Sequence, residues 1–383
     1  MCSVISVVKI LIAPDKFKGS LGARQAAEAM AAGLRDVLPR AEITALPIAD
    51  GGEGTAEVIC GAASGEWHDC DVRDPRGDVV AARYCTIENS ATAVMEMSAA
   101  AGLARVPEHL RNPETASSFG VGEMLLHAAT RGAQQIIIGL GGSATNDGGF
   151  GMARALGYRF VDETSCELSE RVTDLRRLKR MERPAHLALP QITAAVDVQT
   201  PLLGTRGATR IFATQKGATA AQLESLELAL ARLADVAARD LSVDAREVPG
   251  SGAAGGLGFG LVAFCGASLR SGFDVVAERI GLEAAVRAAD VVITGEGRLD
   301  AQTLHGKGPA GVARLARIHG KRCFAVVGEL EGAADVRELF DAVVVAKPAT
   351  MSRDAAMRDA PRLLREGGRE LGALLDQARP TAA

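Results

Sequence analysis

The chain has 383 residues and a formal net charge of −4, from 43 basic and 47 acidic side chains, which leaves no electrostatic footprint for DNA or RNA. Aromatic residues make up only 3% of it, too few for base-stacking platforms, and no apolar run approaches the roughly 18 residues of a membrane span. Apolar residues at 48% can bury one large core or two ordinary ones, and 43 glycines without a collagen period mark places where backbone turns tightly or approaches a ligand.

The chain opens without a basic segment and runs directly into a strand over Val7–Ala13, so no signal peptide is expected. That run ends in Pro14-Asp15, and Ala23–Leu38 follows as an amphipathic helix. Ile43–Ala49 is a second strand, then Asp50-Gly51-Gly52-Glu53-Gly54, then a helix over Thr55–Ala62. Between Trp67 and Met97 the rhythm changes, and Val79–Ile87 and Ala91–Met97 form a hairpin about Glu88-Asn89-Ser90. Helix Ser118–Thr130 leads into strand Gln135–Leu140 and a nine-residue loop from Gly141 to Gly149. Strand Ile192–Val198, a long helix Gln222–Leu241 and a second glycine cluster, Gly250–Gly260, complete the middle. After Asp290 the alternation returns, with strands Val291–Thr294, Cys323–Val327 and Asp341–Val345, helix Gly308–Ile318 and a largely helical end.

Strands alternating with helices imply parallel sheet with crossover connections. The two ends resemble each other more than either resembles the middle. The expected architecture is α/β: a discontinuous Rossmann-like domain from residues 1–75 and 285–383, with a second mixed α/β domain, 76–284, inserted in it. Seven dispersed cysteines with no CxxC, and six scattered histidines, fit reduced thiols in a cytoplasm and exclude zinc spacing.

Ligands of parallel sheets bind beyond the carboxyl ends of strands. Four strand ends carry acidic or mixed polar residues in glycine-rich loops: Asp15 to Ser20, Asp50 to Gly54, Gly141 to Gly149, and Gly295 to Asp300. Small residues at Gly141, Gly142, Ser143, Ala144 and Thr145 let backbone N–H groups surround an anion, with a helix N-terminus near Gly149 adding its dipole. Asn146 and Asp147 can hold a hydroxyl or a metal, or Asp147 can simply cap the helix. Lys16 and Lys18 can meet a carboxylate or phosphate as point charges, and Ser20 can do the same or cap the next helix. Lys216, and Lys307 ahead of a helix, are further cation candidates, with Thr303 beside the latter. Asp197 is another strand-terminal carboxylate, and Glu296, Arg298 and Asp300 share the last loop. No GxxxxGK[ST] P-loop occurs. A permissive GxGxx(G/A) pattern at Gly139–Ala144 lacks the acidic strand end that a dinucleotide fingerprint needs, since Asp162 lies in a different local pattern.

In this order the loops resemble those of the bacterial type-1 glycerate kinase family. The segments that carry the likeness are IAPDKFKGSL (12–21), ADGGEGT (49–55), TASSFGVGE (115–123), GLGGSATNDGG (139–149), QKGAT (215–219), GAAGGLGFG (252–260) and ITGEGRLD (293–300) with Gln302-Thr303 and Gly306-Lys307. Phe119, Gly22 and the acidic Glu329-Leu330-Glu331 depart from the usual pattern. The resemblance implies two α/β domains, one flavodoxin-like, with the active site in the cleft between them. It implies transfer of phosphate from ATP to D-glycerate, most often at the 2-hydroxyl, with magnesium, in glycerate, glyoxylate or sugar-acid breakdown. On that reading Lys16, Lys18 and Arg298 take carboxylate or phosphates, and Gly141–Thr145 cradle an anion. Asp50, Glu53 and Asp300 orient substrate or bind magnesium, Asp50 and Asp300 being the metal ligands. Asp197 or Asp147 receives the hydroxyl proton. The remaining loop residues, Asp15, Ser20, Gly51, Gly52, Asn146, Lys216, Glu296, Thr303 and Lys307, complete the binding set. The scarcity of aromatics implies an apolar, non-aromatic adenine pocket. The expected partners are D-glycerate and ATP, with no nucleic acid or membrane and a second copy of the chain left open. A nicotinamide-dependent hydroxy-acid oxidoreductase and a non-enzymatic small-anion binding protein are the competing readings.

Overall fold

The structure, a computed structural model, describes residues 7–300, 308–331 and 338–377. It divides into two compact units, residues 1–50 with 273–383, and residues 51–272. The changeovers fall at 50/51 and 272/273 rather than 75/76 and 284/285. Helix Thr55–Ala63 belongs with the second unit because the Glu96 carboxylate accepts the N–H groups of Gly54 and Ala56, at 2.9 and 3.0 Å, and so holds that helix by its N-terminus.

The first unit is a five-stranded parallel sheet. Its spatial order is Glu42–Ala45, Lys9–Ile12, Val291–Thr294, Arg322–Val327, Ala342–Val345, so the second strand in sequence lies outside the first. Its inner strands are short continuous apolar runs, as strands covered on both faces should be. Helices Ala23–Val37 and Ala360–Gln377 bury Met30, Leu34, Leu364 and Leu371 against Ile10, Ile293 and Val326. The two helices touch backbone to backbone: a Cβ on Gly33 would lie 1.9 Å from the Arg365 carbonyl oxygen.

The second unit is a six-stranded mixed sheet ordered Ser268–Ser271, Gln191–Val196, Gln135–Gly139, Thr92–Glu96, Val79–Ile87, Glu66–Arg73. Four strands are parallel, and the last two pair antiparallel. The expected hairpin therefore gains a third strand, Glu66–Arg73, in which only Cys70 and Val72 are buried. Glu88, Asn89 and Ser90 turn the hairpin with φ of 55°, 55° and 69°. The second glycine cluster is the start of helix Ala253–Cys265, whose residues 254–256 are left-handed. No helix among the described residues is long and apolar enough to cross a membrane.

Candidate functional site

In the first unit the strand order reverses between Lys9–Ile12 and Val291–Thr294. Loops leaving two such strands diverge and open a crevice at the carboxyl edge. Here the loops are tied at their roots, with Ala13 N–H donating to Ile293 O (2.7 Å) and Asp15 N–H to Gly295 O (2.8 Å). Lys16 Nζ lies 3.1 Å from Asp50 Oδ1, and the buried Asp15 carboxylate accepts the Lys16 N–H at 2.6 Å. The Ser20 hydroxyl donates to the Phe17 carbonyl at 2.9 Å and so closes a turn; helix Ala23–Val37 starts instead at Gly22, whose N–H donates to Gln25 Oε1 at 3.3 Å.

Arg298 opens a two-residue strand that pairs parallel with Glu329–Leu330. That pairing brings Glu331 into an ion pair with Arg298, whose Nε is 3.6 Å from Asp300. Glu329 in turn pairs with Lys347 at 3.4 Å. The acidic segment 329–331 thus supplies counter-charges to two cations of the crevice. Loop stacks on loop here, since a Cβ on Gly328 would sit 2.5 Å from the Gly297 carbonyl oxygen.

These loops surround a cavity of about 310 Å³. Its polar side holds Asp15, Lys16, Lys18, Ser20, Asp50, Glu296 and Arg298, seven of the residues singled out from sequence. Its other side is apolar: Ala356, Met357, Ala360, Leu363 and Leu364 from the C-terminal helices, with the buried Phe17. Lys347, two residues past the carboxyl end of strand Ala342–Val345, and Arg353, at the start of helix Arg353–Arg358, also line the cavity; both are passed over in the sequence because neither lies in a glycine-rich loop. Thr303 and Lys307 lie outside the described residues.

In the second unit the loop after strand Gln135–Gly139 is stitched from within. Asp147 is buried, and its carboxylate accepts Ser118 N–H (2.9 Å), Ser118 Oγ–H (2.7 Å), Gly149 N–H (3.1 Å) and Gly151 N–H (3.0 Å). Ser118 Oγ also accepts Met152 N–H at 3.0 Å. The N-terminus expected to face an anion is thereby filled by the protein's own side chains. Asp147 is a capping anchor, and its oxygens are too fully engaged to receive a substrate proton. The Ala144 N–H is likewise committed, to the Ala101 carbonyl at 2.9 Å, so the expected Gly141–Thr145 cradle loses that donor.

Beneath this loop lies Lys216, 2% exposed, with Nζ donating to Ser143 Oγ and to the Thr145 carbonyl, both at 2.7 Å. Burial lowers its pKa to about 7, against a smaller opposing pull from the Asp147 charge. Asn146 Nδ2 donates to Thr209 Oγ1 at 3.0 Å, while Asn146 Oδ1 and Thr145 Oγ1 are buried without a hydrogen-bond partner. Glycines 255, 256 and 260 press on the loop from behind; a Cβ on Gly255 would meet the Thr145 carbonyl oxygen at 1.9 Å.

Gly51 and Gly52 are buried spacers: a Cβ on Gly139 would be 2.6 Å from the Gly51 carbonyl oxygen, and one on Gly141 2.7 Å from Gly52 Cα. Glu53 is exposed, with its carboxylate beside Gly142. Asp197 is exposed at the carboxyl end of Gln191–Val196, the strand next to Gln135–Gly139. The sequence reading missed Glu96 and Ser118, whose role is visible only once their distant N–H partners are in place. Among the described residues no three His, Cys, Asp or Glu side chains converge as a metal cluster.

The glycerate kinase family model matches residues 10–376. A glycerate kinase of Bacillus subtilis is 39% identical over 97% of this chain and 99% of its own. A glycerate 2-kinase of Escherichia coli is 40% identical, covering 96% and 98%. Among solved structures, one from Salmonella typhimurium LT2 assigned as a glycerate kinase 2 superposes with a TM-score of 0.86, at 41% identity over 97% of this chain and 99% of that one.

Proposed function

The chain belongs to the glycerate kinase family, and from that premise we infer that it transfers the γ-phosphoryl group of ATP to glycerate, at the 2-hydroxyl of the D-acid. The observation that carries this is the full-length match to glycerate kinases, which gives no support to a nicotinamide oxidoreductase or a non-catalytic anion binder. The first unit's strand order, second-first-third-fourth-fifth, supports a flavodoxin-like reading of that unit.

Phosphoryl transfer asks the protein to align the acceptor and neutralise spreading charge. Lys16, Lys18 and Arg298 supply positive charge at the first unit's carboxyl edge. In the second unit Gly141, Gly142 and Ser143 present small residues over the Lys216 ammonium, and Asp197, exposed at the neighbouring strand end, receives the hydroxyl proton. A carboxylate suffices because that proton leaves late in a loose transition state. Magnesium typically takes one or two carboxylates together with substrate phosphates, so the lack of a preformed cluster among the described residues fits it. Asp50 and Asp300 are the hard oxygen donors we assign to it, and when bound it neutralises phosphate charge. The six described cysteines are free thiols, which supports a reducing, cytoplasmic setting.

The test is ADP release by the purified protein with ATP, magnesium and D-glycerate, followed by phosphorus NMR of the product. 2-Phosphoglycerate is expected. The 3-isomer would overturn the assignment of the hydroxyl, and no glycerate-dependent ADP release would overturn the activity.

A further inference from the structure

We propose that the cavity of the first unit is the nucleotide site of this kinase, with Arg353 and Met357 as binding residues in it. The inference rests on the kinase reading above and decides which of the two substrates this cavity takes.

The apolar wall is the first argument. Ala356, Met357, Ala360, Leu363 and Leu364 present aliphatic surface on one side of a cavity of about 310 Å³. Glycerate carries an oxygen on each of its three carbons and has no apolar face. Burying it against that wall would strip water from polar groups and give them no partner. A purine has two apolar faces and a polar edge, which suits a wall of this kind facing a charged rim.

The second argument is the charge. Lys16, Arg298 and Lys347 are each paired, with Asp50, Glu331 and Glu329. Lys18 and Arg353 line the same cavity, and among the described residues neither has an acidic partner. Two cations left open beside an apolar wall match a polyphosphate attached to a base. Arg353 and Met357 sit on one short helix, so both ends of such a ligand would be read by the same element. The loop is fitted to that helix: Gly19 has φ +80°, and a Cβ there would lie 2.6 Å from Met357 Cε.

The experiment compares wild type with Arg353→Ala and Met357→Glu. ADP binding is measured by calorimetry, and KM is measured separately for ATP and D-glycerate. The expected result is about tenfold weaker ADP binding and a matching rise in KM for ATP in each variant, with KM for D-glycerate unchanged. A rise in KM for D-glycerate with ADP affinity intact would overturn the proposal, as would no change in either. Arg353 is exposed, so Arg353→Ala carries the test alone if Met357→Glu does not fold. A wild type that binds ADP but phosphorylates no glycerate would remove the activity assigned above. The loss of ADP binding in the variants would still decide the site.

Discussion

Lys216 Nζ donates to the Ser143 hydroxyl at 2.7 Å from a position only 2% exposed, so a lysine amine is held out of water under the loop that follows strand Gln135–Gly139. The interaction does not extend to solvent. It fixes Ser143 and the Thr145 carbonyl from below, which makes Lys216 a support for the loop.

That burial makes stability depend on pH. The folded-state pKa is about 7 and the unfolded value 10.5, so between these the unfolded chain holds the extra proton. Stability must then rise with pH across that window, by at most about 1.4 kcal/mol per unit. Below pH 7 both states are protonated and the desolvation cost is constant. Measured by urea unfolding from pH 6 to 10, wild type should gain on Lys216→Met steadily above pH 7. A constant difference between the two would show that the lysine is not buried as described.

Asp147 separates a structural carboxylate from a catalytic one. It accepts four hydrogen bonds, two of them from N–H groups at the start of helix Phe150–Ala155. Asp147→Ala strands those donors in the interior, so a loss of roughly 3 kcal/mol or more is expected in urea unfolding. Were Asp147 a substrate-facing base, the variant would lose turnover with its unfolding midpoint unchanged.

The inner strands of the first unit are legible in sequence because burial on both faces leaves uninterrupted runs such as Val291–Thr294. Glu66–Arg73 is not, because as an edge strand it buries only Cys70 and Val72 among charged neighbours. The site divides in the same way. Glycine-rich loops announce themselves, but sequence gives residue type without hydrogen-bond partners. Asp147 therefore reads as chemistry although Ser118, far away in the chain, consumes it. Arg353 and Met357 reach the cavity through the way the helix Arg353–Arg358 packs, and Lys347 through the loop that follows strand Ala342–Val345.

Two left-handed glycines should behave very differently. Gly255 has φ +70° and its Cβ would fall 1.9 Å from the Thr145 carbonyl oxygen, whereas Gly204 has φ +90° with open space around it. Gly204→Ala meets backbone strain alone and should cost about 1–2 kcal/mol. Gly255→Ala must also push the loop, and roughly 3–5 kcal/mol is expected, with Lys216 losing its acceptor geometry. Thermal unfolding of the two variants checks this, and equal losses would mean the contact with Thr145 carries no energy.

Asp197 should show the opposite profile to Asp147. It is exposed at a strand end, so Asp197→Asn should leave the unfolding midpoint within about 0.5 kcal/mol of wild type. As the proton acceptor it should lower kcat by about 100-fold, with KM for ATP little changed, because general-base assistance acts in the transition state and not on nucleotide binding. Steady-state kinetics with D-glycerate at saturating ATP reads both values. Turnover at the wild-type rate would remove Asp197 from the chemistry and leave the exposed Glu53, on the loop beside Gly142, as the second unit's remaining carboxylate for that role.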